Sequence, residues 1–180
     1  MTLLTSKIVK KLDKCLKFSI SKDETRRNIM GVNHNSELRA RVSCNGHVLT
    51  AIFMNYSDEL KDLTIDISNG TLIDREFPRV SKVFHPDSYE KMKMRTFTIT
   101  KDMIKKNASP ESGTLRFYKS GPSFDIIDGE TPLFGLQSKF LEPLADGSTY
   151  EVYYKNEYSP VIFRIVTGYL HYMVIMPFKL

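Results

Sequence analysis

The chain has 180 residues, 41% of them hydrophobic and 26% charged, with a formal charge of +5. That is enough for one large domain or two small ones, with a core that needs neither metal nor disulfide for its stability. No apolar run approaches the ~20 residues of a membrane span, and the opening MTLLTSKIVKK lacks the apolar core of a signal peptide. The expected setting is therefore a soluble, cytoplasmic protein with no membrane partner.

The first expected element is a helix over residues 6–17. Thr5 or Ser6 can cap it, and Ile8, Val9, Leu12, Cys15 and Leu16 recur at helical spacing as one apolar stripe. Lys7, Lys10, Lys11, Lys14 and Lys17 lie around the other side. Residues 1–20 hold these five lysines against one aspartate, and so carry four of the five net positive charges. A concentrated basic patch of this kind suits a polyanion partner; an ordinary solvated helix face would carry the same residues.

Strands are expected next. Residues 27–32 read as a short mixed strand. Residues 37–43 alternate, with Leu38, Ala40 and Val42 set against Arg39 and Arg41. Asn45-Gly46 signals a hairpin with a type I′ turn, which needs positive φ at both central residues, and 48–54 is the return strand. Residues 63–67 form another strand, ended by Asn69-Gly70. A stretch containing Pro78 and Pro86 reads as an extended connector.

Residues 97–100 read as a strand entering a helix over 101–107, capped by Thr100, with Met103 and Ile104 inward and Ser109-Pro110 and Gly113 as its stop. Two strands, 114–118 and 123–127, meet around Gly121-Pro122. A third helical segment over 137–145 contains Pro143 and is expected to be short or bent. Strands at 149–154, 161–166 and 169–176, with turns at Asn156 and Gly168, complete an antiparallel run. Helices punctuating antiparallel strands indicate an α+β fold, and a helix followed by a strand meander recurs weakly about three times.

Motifs for chemistry are sparse. Cys15 and Cys44 read as reduced and buried. His34, His47, His85 and His171 are scattered, and no CxxC, paired-histidine, Walker or Rossmann pattern occurs, so neither a metal nor a cofactor is expected. Asp13, Asp23, Glu24, Asp125, Asp128 and Glu130 supply carboxylates, but no spacing gathers them into a nuclease or hydrolase constellation. An enzyme is not expected.

Three segments, in order, resemble the beta sliding clamps of bacterial DNA polymerase III. The middle domains of that family carry T-R-x-x-L-x-G-V and then A-T-D-G-H-R-L-A. Here the corresponding residues are Thr25-Arg26-Arg27-Asn28-Ile29-Met30-Gly31-Val32 and Ser43-Cys44-Asn45-Gly46-His47-Val48-Leu49-Thr50. LIDREFPRVSKVFHP at 72–86 is similar to the family connector into the last domain, and HYMVIMPFKL at 171–180 to the family C-terminus Y-V-V-M-P-M-R-L. The resemblance covers most of 1–86, then 97–100 and 134–180. It departs from the family at Val48 (family Arg) and Asn45 (family Asp), and in lacking a first domain and the second half of the middle one.

The resemblance implies a DNA-clamp fold of about one and a half clamp domains, with antiparallel sheets outside and helices lining the inner face. Residues 1–76 would be a partial clamp domain like the first half of the middle domain, 77–96 a connector, and 97–180 a domain like the last. It implies a ring-shaped processivity factor, in a bacterial cell or phage-infected bacterium, that encircles duplex DNA without regard to sequence. Lys7, Lys10, Lys11, Lys14, Lys17, Lys101, Lys105 and Lys106 would face the DNA. Peptides of DNA polymerase and clamp loader would bind a pocket made by Ile29, Gly46, His47, Val48, Leu49, Pro78, Val83, Pro160, Val174, Met176, Pro177, Phe178, Lys179 and Leu180. The ring would be a homo-oligomer, a tetramer favoured over a trimer. The alternative is a clamp-like adaptor, a transcription or repair scaffold that binds client peptides without encircling DNA.

Overall fold

The computed structural model describes residues 6–54, 57–84, 89, 92–120, 123–126, 131–165 and 171–177. They form a sheet-rich α+β fold of antiparallel strands and few helices, divided into two compact units. The first comprises 1–85 and 168–173, and the second 86–167 and 174–180.

The first unit opens with helix α1 (Ser6–Phe18). A short 3-10 helix (Glu24–Ile29) follows, then strands β1 (Val32–Asn35), β2 (Ala40–Cys44), β3 (Val48–Phe53) and β4 (Thr64–Ile65). The strands lie in the order β4-β1-β2-β3, each pair antiparallel. The apolar stripe of α1 is buried as its spacing requires: Leu12 and Leu16 join Val32 and Ile52 in one cluster, with Ile8 and Ile20 packed against it. Val9 departs from the expected stripe and is 41% exposed, because it falls at the flank of the buried arc.

Two other expectations are corrected in this unit. Residues 24–29 coil into the 3-10 helix, so the strand expected over 27–32 begins only at Val32. The strand expected over 63–67 shrinks to Thr64–Ile65. Gly31, between the 3-10 helix and β1, tolerates no side chain: a Cβ there would stand 2.5 Å from the Ile65 carbonyl oxygen.

The second unit holds β5 (Lys93–Thr100), helix α2 (Lys101–Asn107), β6 (Thr114–Ser120), β7 (Ser123–Asp125) and β8 (Pro132–Gln137). A 3-10 helix (Ser138–Leu144), β9 (Asp146–Tyr154) and β10 (Val161–Ile165) complete it. β9 pairs with both β5 and β10, and β6 with both β7 and β8. Strand β11 (His171–Ile175) is shared, His171–Met173 belonging to the first unit and Val174 onward to the second.

Thr100 caps α2 as expected, its hydroxyl oxygen accepting the Met103 N–H at 3.0 Å. The segment with Pro143 is 3-10 throughout, in keeping with a missing N–H. β8 was not expected. The core here is aromatic: Phe134 stacks on Phe117 at 4.5 Å and on Tyr154 at 4.2 Å, and Phe124 meets all three edge-on. Among the described residues no helix is long and apolar enough to cross a membrane.

Candidate functional site

In the first unit, the site residues are set by a hairpin and the turn packed on it. β2 and β3 pair through Cys44 and Leu49. Only Gly46 takes positive φ (+90°), so the expected type I′ turn does not form. Instead Gly46 and His47 are the two central residues, glycine first, which is the arrangement a type II′ turn favours. The Asn45 side chain replaces a backbone acceptor: its Oδ1 takes the N–H of His47 at 3.0 Å and of Val48 at 2.9 Å. Cys44 Sγ accepts the Gly46 N–H at 3.3 Å. Burial pushes the Cys44 thiol up, against smaller opposing effects of that N–H and of Arg26. Neither cysteine is in a disulfide, Cys15 being buried as expected and Cys44 only half-buried.

Arg26 reaches this hairpin because the 3-10 helix is kinked at it (φ −108°, ψ 47°). Its guanidinium lies against Gly46, where a Cβ would stand 2.5 Å from Nη1. Asp23 anchors the turn, accepting the Thr25 N–H at 3.0 Å and the Thr25 hydroxyl at 2.7 Å. These bonds, with the nearby Arg26, hold its carboxyl below the usual range. Arg26 is the residue that the pattern of pocket positions missed, although it stands inside the T-R-x-x motif.

The expected pocket residues divide by burial. Gly46, His47 and Pro78 are exposed, as are Val83 (48%) and Met176 (40%). Pro160 and Pro177 are half-buried. Ile29, Val48, Leu49 and Val174 are core residues, none more than 6% exposed. Phe178, Lys179 and Leu180 lie outside the described residues. In the second unit, Tyr158, two positions before Pro160, is 75% exposed on a turn held by Asn156, whose Oδ1 accepts the Tyr158 N–H at 3.1 Å. No motif in the sequence pointed to it.

The lysines of α1 fall as the helical wheel requires. Lys10, Lys14 and Lys17 are exposed and Lys11 half-buried; the Lys7 side chain lies outside the described set. Asp13, the one carboxylate of the helix, is drawn to Arg41 on β2 at 3.7 Å. Buried hydroxyls fix the end of the helix on the sheet. Ser43 donates to the Leu16 carbonyl at 2.9 Å, Thr50 to that of Cys15 at 3.3 Å, and Ser19 meets Thr50 at 2.6 Å. Beside this end lies a groove of about 560 Å³, floored by Phe18 and Ile20 and rimmed by Lys14, Lys17, Lys22 and His47. It brings two of the expected DNA-facing lysines to the expected peptide-site histidine.

On α2, Lys101, Lys105 and Lys106 are all exposed. Lys106 also lines a separate cavity of the second unit. Of the candidate carboxylates, Asp13 is drawn to Arg41, Asp23 holds its turn, Asp125 binds Arg95 at 2.8 Å, and Glu24 is exposed. Asp128 and Glu130 lie outside the described residues. Among the described residues no group of three acidic, histidine or cysteine side chains is placed to hold a metal.

No protein-family model and no curated protein matches the chain. Solved structures do. The DNA polymerase III beta of Caulobacter crescentus matches with a TM-score of 0.73 and 14% identity, over 100% of this chain and 69% of its own. The Bartonella birtlesii sliding clamp bound to griselimycin matches at 0.71 and 14%, over 98% and 65%. The beta subunit of Thermotoga maritima matches at 0.62 and 16%, over 98% and 65%. The chain spans about two thirds of the length of these clamps. Along its whole length it has the fold of the bacterial DNA polymerase III beta sliding clamps, in about one and a half of their domains.

Proposed function

We propose that the protein is a DNA sliding clamp: a non-enzymatic, homo-oligomeric ring that encircles duplex DNA and tethers a DNA polymerase and a clamp loader through short peptides. The observation that carries this reading is the clamp fold over the whole chain, joined to a helix whose free face is a stripe of lysines. Long flexible ammonium groups attract phosphate without reading bases, which permits sliding. Lys7, Lys10, Lys11, Lys14, Lys17, Lys101, Lys105 and Lys106 are the proposed DNA-facing set.

Three helical segments per chain, α1, α2 and the 3-10 helix Ser138–Leu144, favour a tetramer over a trimer. Four copies supply as many wall segments as a family ring. Such a ring closes through head-to-tail contacts at a fixed rotation, for which edge strands with unpaired backbone groups are suited.

The proposed client is a peptide with leucine and phenylalanine anchors. It is held by residues of the expected set, the exposed His47, Val83 and Met176 and the half-buried Pro177, and by Phe178, Lys179 and Leu180. Met176 supplies adaptable apolar surface. Deleting residues 178–180 is expected to abolish peptide binding and leave the fold intact; unchanged affinity would remove the site assignment. Ring closure is tested by retention on DNA: the protein should remain on a closed circle and run off the same molecule once it is linearised. Equal loss from both forms would favour the second reading, a clamp-like adaptor that binds client peptides without encircling DNA.

A further inference from the structure

Apart from Lys106, the residues of the cavity at the end of α2 have no place in the reading above. It holds about 630 Å³ between the last turn of α2 and the face of β6 that carries Thr114, Arg116 and Tyr118. Lys106 enters it because each helical residue turns about 100°, which carries it away from Lys101 and Lys105. Arg116 stands opposite Gly135 of β8 and is exposed. Tyr118 stands opposite Asp125 on β7, but that carboxylate is already bound to Arg95 at 2.8 Å. Among the described residues no acidic side chain lines the cavity, and neither Lys106 nor Arg116 makes an ion pair.

We propose that this cavity binds one phosphate-bearing nucleotide unit of a single-stranded nucleic acid. The Arg116 guanidinium takes phosphate oxygens in its two-pronged fork, Lys106 adds a second positive charge, and the half-buried Tyr118 ring offers a face for a base. A cation beside an aromatic platform is what sequence-tolerant binding of single strands requires. The volume suits one nucleotide-sized group and excludes a double helix. An acidic peptide would satisfy the two charges and leave the ring without a role.

The test is fluorescence anisotropy of the full chain with a labelled oligothymidylate, against a duplex of equal length. Arg116→Glu should weaken oligothymidylate binding about tenfold and flatten its log–log salt dependence by about 0.7 per lost phosphate contact. Tyr118→Leu should weaken it about tenfold with the salt slope unchanged. Both variants should bind duplex and client peptide as the parent does, and Arg116→Lys should recover part of the affinity, showing that the fold is kept. Thymidine monophosphate distinguishes the sources of the phosphate: displacement of the oligomer assigns the site to free nucleotides as well as strands, and its failure to displace assigns it to strands alone. Parent-like oligomer binding by Arg116→Glu would overturn the proposal. Displacement of the oligomer by polyglutamate of equal length would overturn it in favour of an acidic peptide.

Discussion

Helices α1 and α2 are both rich in lysine and both pack on antiparallel strands, yet they are held and used differently. α1 runs thirteen residues, buries Leu12, Cys15 and Leu16, and has its last carbonyls taken by hydroxyls of Ser19, Ser43 and Thr50. Its exposed lysines recur at i, i+4 and i+7, so they share one stripe. α2 runs seven residues, depends on the Thr100 cap and on Ile104, and divides its lysines: Lys101 and Lys105 share one side, and Lys106 turns to a cavity with Arg116. What a lysine can meet is decided by its register against the buried stripe, and composition alone does not report it.

The largest expected effect tests how each helix is held. Leu16→Ala should cost about 2–5 kcal/mol, the range for a fully buried leucine, and Ile104→Ala less, because the shorter helix retains its cap; urea unfolding measures both. Charge comes next. Lys10, Lys14 and Lys17 changed together to glutamate should lower duplex affinity about a hundredfold and flatten the log–log salt slope by about 2.7. The pair Lys101 and Lys105 should flatten it by about 1.8. Client-peptide affinity should be unchanged in both, since its anchors are apolar. A parallel loss at Lys14 and Lys17 would merge the two surfaces at the groove they share with His47.

Smaller effects separate the two helix ends. Thr50→Val removes a buried hydroxyl that bonds both Ser19 and the Cys15 carbonyl, and should cost about 1–3 kcal/mol. Thr100→Ala should cost about 1 kcal/mol, the usual worth of a cap.

The smallest effect is a pH dependence in the unit that contains α1. Burial, and then the charge of Arg41, push the His34 imidazole below its ordinary 6.5. A depressed histidine binds fewer protons folded than unfolded, so its contribution is present above pH 6.5 and is lost as the pH falls through the lower folded value. The urea midpoint should therefore drop on acidification below pH 6.5, and His34→Gln should lessen the drop.

Much of this was legible from the residues. Five apolar residues at helical spacing marked α1, and a threonine before a short amphipathic run marked the start of α2. Asn45-Gly46 located the hairpin but not its turn, because the amide of Asn45 took over the role of a backbone carbonyl. β8 contains Pro132 and Gly135, residue types depleted in strands, and no alternation marks it; the glycine is a strand residue opposite Arg116. The 3-10 helix at 24–29 has no periodicity to announce it. Of the residues the motif assigned to the pocket, Gly46 and His47 are exposed and Val48 and Leu49 are buried, since β3 is buried on both faces. Arg26 could not be read because its reach depends on a backbone kink at that residue.

The central claim is that copies of this chain close into a ring. Native mass spectrometry of the full chain at micromolar concentration, with and without a DNA circle, tests it most directly. The ring account predicts a species of four 20.8 kDa chains, retained on the circle. A strictly monomeric species in both conditions would contradict the ring and leave the adaptor.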